Sequence, residues 1–273
     1  SGIVIPLSMI RANYTHSLFF KFILKRFTRI EPPYLGVVLL GIIYLVVRNY
    51  IPSSADVDLT PSFRDIILHI GYLVPFVEDA KWINPVFWTL SIEFQYYLFL
   101  AVSFPLALTN KFYLRYVFYI IVLYLPMLLI SSQSFFPYWS AYFSLGIFYI
   151  LYRSNKIKNV EYAIITLLAA IQIINNQGFL DLFIGLGTLF IIHQFSTYKN
   201  KIGEFLGNIS YSVYLLHSIV GSAFVNFMSH IYTVWYEKFI VILLGVLITI
   251  GTAYLYWRII EKPSQRLAKK IKL

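Results

Sequence analysis

The sequence predicts an all-α, polytopic integral membrane bundle, and three observations lead there. Of its 273 residues 59% are apolar, 19% aromatic and only 12% charged, against about 45–50% apolar and about 25% charged in an ordinary soluble domain. A water-soluble globule is excluded. The apolar runs also continue without the period-2 alternation of a porin-type barrel, so each long run has to satisfy its own backbone hydrogen bonds as a helix. The basic residues behind the net charge of +10 are scattered in short connections between apolar runs, where membrane topology places them. The charge is therefore read as topological, with no nucleic-acid partner. The absence of cysteine excludes disulfides, thiolate metal sites and any cysteine acyl-enzyme intermediate. No metal centre is expected.

A spanning helix needs roughly 20 mostly apolar residues, with about 17 as the lower limit. Eight runs come near or above it: 34–50, 85–104, 114–131, 137–152, 160–174, 179–195, 205–228 and 239–258. The first ten residues, SGIVIPLSMI, are apolar but only half a span long. They read as a clipped span rather than a signal peptide, because no charged leader or cleavage site is assembled there. Eight full spans plus a clipped one are expected here, and about ten in the intact protein. Of the 22 Lys and Arg residues, 18 fall on one side of these spans, and only Arg48, Arg64, Lys81 and Lys238 fall on the other. The positive-inside rule makes the first side cytoplasmic, with the C-terminus inside the cell (inner) membrane. Trp82, Trp88, Trp139 and Trp235 then lie near outer ends and Trp257 near an inner end, as an aromatic belt requires.

Three segments of this single domain, 1–273, are more than linkers. Residues 13–33 place Phe19, Phe20, Phe22, Ile23 and Phe27 largely apart from Lys21, Lys25, Arg26 and Arg29, which predicts a cytoplasmic amphipathic helix closed by Pro32–Pro33. Residues 51–84 form an extracytoplasmic loop carrying Asp56, Asp58, Asp65, Glu78 and Asp79. The middle of that loop is apolar but too short to span, and is expected to pack at the mouth of the bundle. Residues 259–273 form a basic cytoplasmic tail.

Ionisable groups within the apolar layer are the candidates for chemistry, since each costs about 2.5–3.5 kcal/mol on insertion scales. Glu93 sits about two turns inside the outer end of its span, with Tyr96 and Tyr97 on its face at i+3 and i+4. It is either functional or a neutral carboxyl clamping two helices. Ser210, Tyr214 and His217 recur at i, i+4 and i+7 and share a stripe. Counting about 1.5 Å per residue puts His217 and Glu93 both roughly 12 Å below the outer face. Glu93, Tyr214 and His217 are then expected either to share a polar cavity or to make separate structural hydrogen bonds. Arg26 and Arg29, at i and i+3, place two guanidinium groups side by side at the inner surface. That pairing suits phosphate oxygens, while lipid headgroups and topology are the plainer use. His16, His193 and His230 lie near membrane faces and read as structural or solvated. His69, in the outer loop, stays open.

Six segments together resemble acyltransferase family 3, the membrane enzymes that modify sugars, peptidoglycan and antibiotics. They are SGIVIPLSM at Ser1, KRFTRIEPPY from Lys25 to Tyr34, FWTLSIEFQYYLF around Glu93, YFSLGIFYIL around Gly146, LGNISYSVYLLHSIV around His217 and IIEKPSQRLAKK with Glu261 and Pro263. Their order covers nearly the whole chain. The resemblance implies that Arg26 and Arg29 face an acyl-CoA donor, most commonly acetyl-CoA, in the cytoplasm. It implies a catalytic histidine on a first span upstream of Ser1, which neither His16 nor His217 replaces, so that 273 residues alone would be inactive. The implied activity is transfer of an acyl group to a hydroxyl of a carbohydrate or lipid-linked glycan acceptor of the envelope. Glu93, Tyr214 and His217 would orient the acceptor or relay protons. No tightly bound cofactor is implied.

Three other readings compete. The membrane-bound O-acyltransferase class would need an Asn/His pair in long buried helices. A transporter or flippase of a glycan or lipid-linked substrate would also place Glu93 and His217 in the membrane, but tends to show inverted repeats and Gly/Pro-broken helices, which the sequence lacks. A non-catalytic scaffold would leave Glu93 without a purpose.

Overall fold

The structure is a computed structural model that describes residues 1–49, 60–128, 132–198, 200–232 and 234–273. Asp56 and Asp58 of the expected outer loop lie outside these. Among the described residues all regular structure is helical. In chain order the helices are α1 (Val4–Arg11), α2 (Phe19–Asn49), α3 (Phe63–His69), α4 (Trp88–Leu108), α5 (Phe112–Leu128), α6 (Phe136–Arg153), α7 (Asn159–Asn176), α8 (Phe179–Phe195), α9 (Lys201–Leu216), α10 (Ala223–Ser229), α11 (Trp235–Tyr256) and α12 (Lys262–Lys270). Two π-helical turns, His217–Ser222 and Trp257–Glu261, join α9 to α10 and α11 to α12. The basic tail read at 259–273 is thus largely a continuation of α11, with the Lys262 ammonium 4.7 Å from the centre of the Trp257 ring.

All eight apolar runs are helical over their described residues. Among the described residues four helices are long and apolar enough to cross a bilayer: His16–Asn49, Pro85–Leu108, Lys201–Ser229 and Trp235–Lys270. Phe112–Met127 and Phe179–Phe195 are apolar but shorter. Large side chains point outward along several of these rods, with Phe183 69%, Phe190 63% and Leu247 63% exposed. Contiguous apolar surface of that kind is a liability in water and the normal exterior in lipid. The chain is an integral membrane protein.

One expectation is corrected here. Residues 13–33 do not form a separate helix closed by the prolines, because α2 runs without a break through Pro32 and Pro33 to Asn49. Proline removes an N–H from the ladder, so Pro32 and Pro33 leave the Thr28 and Arg29 carbonyls without their i+4 donors, a loss that membrane helices tolerate, and hydroxyls from elsewhere in the chain fasten the same turns. Tyr256 donates to the Pro33 carbonyl at 2.5 Å and Tyr211 to that of Ile30 at 3.2 Å. Gly36 gives the Tyr256 phenol its room, since a Cβ there would collide with the hydroxyl oxygen.

Two compact units divide the chain. The first holds Ser1–Ile23, Ser91–Tyr198 and Leu273, and the second Leu24–Leu90 with Lys199–Lys272. In the first, α6 presents Ser140, Ala141, Ser144 and Gly146 as buried small residues, which let backbones approach closely. The N-terminal turn uses this approach. A Cβ on Gly146 would lie 2.7 Å from the Gly2 carbonyl carbon, and a Cβ on Gly2 would lie 2.9 Å from the Phe143 oxygen. The connection after α1 is fixed on α4, where Pro105 cannot donate to the carbonyl of Ala101 four residues before it. The buried Tyr14 hydroxyl donates to that carbonyl at 2.9 Å. His16 lies beside it, with Nε2 2.8 Å from the Val102 carbonyl, which fixes Nε2 as the protonated nitrogen.

In the second unit, α9, its π turn and α10 pack along α11 through glycines. A Cβ on Gly221 would strike the Thr249 hydroxyl, and one on Gly245 would come 2.8 Å from a Val225 methyl. The segment between α3 and α4 goes deeper than the expected packing at the bundle mouth. Gly71 and Tyr72 turn with φ of 108° and 62°, and Tyr72 stacks on Tyr34 with ring centres 4.8 Å apart. Tyr34 precedes the end of α2 by 15 residues, so the segment doubles back along that helix by about 22 Å. A left-handed tyrosine is strained; burying its ring against Tyr34 offsets the cost.

His69 holds this segment in shape, which resolves its open assignment as structural. The ring is fully buried, with Nδ1 2.7 Å from the Asp65 carbonyl. Its Nε2 accepts from the Ile83 backbone N–H at 3.1 Å. Since a carbonyl only accepts, Nδ1 carries the proton and the ring is neutral. Asp65 in turn takes the Ser62 hydroxyl at 2.7 Å and the Lys81 N–H at 3.3 Å, which hold its carboxyl below the usual range, the Ser62 bond first. Burial pushes the His69 pKa below its ordinary 6.5. On acidification the unfolded chain takes up this proton before the folded one. The segment's stability is therefore complete above about pH 6.5 and declines as pH falls toward the lowered folded value. Melting curves between pH 8 and pH 5 should show this decline, and His69→Gln should flatten it. An unchanged pH slope in the variant would show that another group is titrating.

Candidate functional site

Glu93 lies in the first unit, on α4. Its Oε1 takes the Tyr97 hydroxyl at 2.5 Å, the i+4 partner read from the sequence, and also the Ser1 hydroxyl. Ser1 reaches it because the next residue, Gly2, is pressed onto Gly146. Three segments far apart in the chain thus meet around one carboxylate. The aromatic wall beside them is continuous, with the Tyr96 ring 4.4 Å from Phe143 and 5.5 Å from Phe136, centre to centre. A half-buried carboxylate taking two hydroxyls can hold a third hydroxyl, or receive a proton from one.

Tyr214 and His217 belong to the second unit. The Tyr214 hydroxyl donates to the Val86 carbonyl at 2.6 Å and meets the Thr89 hydroxyl, so it fastens α9 to the start of α4. His217 opens the π turn, with Nδ1 2.7 Å from the Tyr214 carbonyl. In the neutral ring that leaves the lone pair on Nε2. His217 lines a groove of about 610 Å³ whose walls also include Ser210, Ser222, Asn226 and Thr249. The i, i+4, i+7 stripe is therefore divided: Ser210 and His217 face the groove, whereas Tyr214 is engaged with the start of α4.

The arginines are not equivalent. Arg26 is 6% exposed, whereas Arg29, one turn later, is open to the surroundings. Two guanidiniums side by side at the surface are thus reduced to one outward and one inward. Arg29 lies within Coulombic reach of Glu261, a buried carboxylate that sequence reading noted only as part of a motif. Glu261 takes the backbone N–H of Ser212 at 3.1 Å, the Ser212 hydroxyl, and the Gln265 amide at 2.7 Å. It thereby links the π turn after α11 to α9. Glu31 was missed altogether. It is 3% exposed, between Arg29 and the two prolines of α2. A carboxyl beside prolines in a segment read as surface gives no signal, whereas the same residue on a continuous buried helix does.

The six segments therefore gather in two sets of three, around Glu93 in the first unit and around α2, α9 and Glu261 in the second. A family model described as an acyltransferase domain (Acyl_transf_3) matches residues 1–258. The chain belongs to acyltransferase family 3. No curated protein and no solved structure matches it significantly. Family membership makes the chain a membrane acyltransferase.

Proposed function

We propose that this acyltransferase moves an acyl group, acetyl being the commonest, from cytoplasmic acyl-CoA to a hydroxyl of a cell-envelope or exported carbohydrate, with its C-terminus on the cytoplasmic side of the inner membrane. The acceptor oxygen attacks the thioester carbonyl, the carbon–sulfur bond breaks, and the acceptor proton ends on the CoA thiol. Glu93 is assigned to orient the acceptor hydroxyl, because its carboxylate already accepts hydroxyls. His217 is assigned a proton-relay role through Nε2, with Tyr214 positioning it through the carbonyl that takes Nδ1–H. Arg29 is assigned to the donor's phosphates, with Arg26 behind it.

The observation that carries the donor assignment is the exposed guanidinium of Arg29 at the basic end of α2. Delocalised and always charged, it suits phosphate oxygens. Incorporation of label from radiolabelled acetyl-CoA into envelope glycan by the intact protein tests the whole reading. Arg29→Ala should raise the KM for acetyl-CoA about tenfold, the loss of one charge-assisted contact, with kcat and membrane insertion little changed. Unaltered donor saturation would remove Arg29 from the donor site.

A further inference from the structure

Beyond the arginines, the buried side of α2 carries polar groups that the proposed reaction has not used. Neither carboxylate oxygen of Glu31 has a partner in hydrogen-bond geometry, and neither has the hydroxyl of Tyr34, which is itself fully buried. The neighbouring group placed to interact with the Glu31 carboxylate is the Tyr72 phenol, from the segment before α4. Buried groups of this kind are ordinarily matched, and unmatched ones point to a partner that arrives from elsewhere. What is required is chemically specific: N–H or O–H donors for Glu31, and a group that can pair with the Tyr34 hydroxyl.

Arg26, Glu31 and Tyr34 are all buried on α2, and Tyr34 follows Arg26 by eight residues, about 12 Å along the axis. The donor's own chemistry supplies such groups at that distance. Past its pyrophosphate, coenzyme A continues as a pantetheine arm bearing first a hydroxyl and then amides, each with an N–H and a carbonyl. We infer that Glu31 and Tyr34 form the subsite for the hydroxyl and first amide of this arm, with Tyr72 as the wall that gives way when the arm enters. The Glu31 carboxylate accepts from the hydroxyl and the amide N–H, and Tyr34 donates to the amide carbonyl. Tyr72 is suited to yield because it sits at the left-handed tip of the doubled-back segment, beside Gly71. This inference rests on the acyl-CoA reading and deepens it, since it predicts discrimination for the arm separately from the phosphates.

The test compares coenzyme A with adenosine 3′,5′-bisphosphate, which keeps a nucleotide and phosphates but lacks the arm, on the full chain in lipid nanodiscs. The wild-type chain should bind coenzyme A more tightly. Glu31→Leu should weaken coenzyme A about tenfold, as expected for loss of hydrogen bonds to a charged acceptor, and leave the bisphosphate unchanged. Tyr34→Phe, which removes only an oxygen and preserves packing, should weaken coenzyme A by a smaller factor, again without effect on the bisphosphate. If Glu31→Leu does not fold, the Tyr34→Phe ratio decides. An unaltered ratio of the two affinities in the folded variants, or equal weakening of both ligands, overturns the subsite alone. Failure of wild-type protein to bind either ligand overturns the acyl-CoA reading and the subsite with it.

Discussion

Replacing Glu93 by glutamine is expected to reduce turnover by about 10²-fold or more, the usual scale for removing a group that handles a proton or orients a nucleophile. The amide keeps the volume and one acceptor oxygen, so the Tyr97 and Ser1 hydroxyls retain a place to donate and the fold is preserved. What is lost is the charge. The KM for acyl-CoA should stay within a small factor, because no donor phosphate is assigned to this carboxylate. Steady-state kinetics on the intact protein, with an unchanged melting temperature, make the measurement. Activity within threefold of wild type would reduce Glu93 to the interhelical clamp that the sequence also allowed.

The largest effect on stability is expected at Glu261. It is 2% exposed and collects the Ser212 N–H, the Ser212 hydroxyl and the Gln265 amide. Glu261→Ala strands those donors in a buried site, at about 1–3 kcal/mol for each group left unmatched. A destabilisation of about 3 kcal/mol is expected on that scale, read as a fall in the detergent melting temperature with loss of the α9 to α11 register. Glu261→Gln, which keeps acceptor capacity and shape, should recover most of it. Should alanine and glutamine prove equally harmful, the role of Glu261 would lie in its charge beside Arg29 rather than in bonding Ser212.

How much of this could be read from the sequence depends on how local the cause is. Glu93 stood out because a carboxylate in an apolar run is costly, and its Tyr97 partner followed from helical spacing. The helices themselves were legible as unbroken apolar runs, because backbone groups in lipid have no other way to be satisfied. The prolines of α2 misled, since a proline is read locally as a helix stop, whereas this stretch is held as one helix by contacts that include the Tyr211 and Tyr256 hydroxyls bonding Ile30 and Pro33 from about 180 and 220 positions away. Glu31 was hidden by the same error: once residues 13–33 are taken as a surface helix, a carboxylate there needs no explanation. Tyr14 shows the general difficulty. Its role is to serve a carbonyl that Pro105 leaves without a donor, and neither residue signals the other.

The π turn at His217 has a consequence for how this protein can diverge. A π turn holds one residue more than the α-turn it replaces, so side chains beyond Ser222 are rotated out of phase with those before His217. Gain or loss of a single residue within 217–222 would therefore swing α10 like the hand of a dial, while Tyr214 stayed fastened at Val86. Relatives could remodel one bank of the groove by changing the length of this turn, with no substitution on either helix.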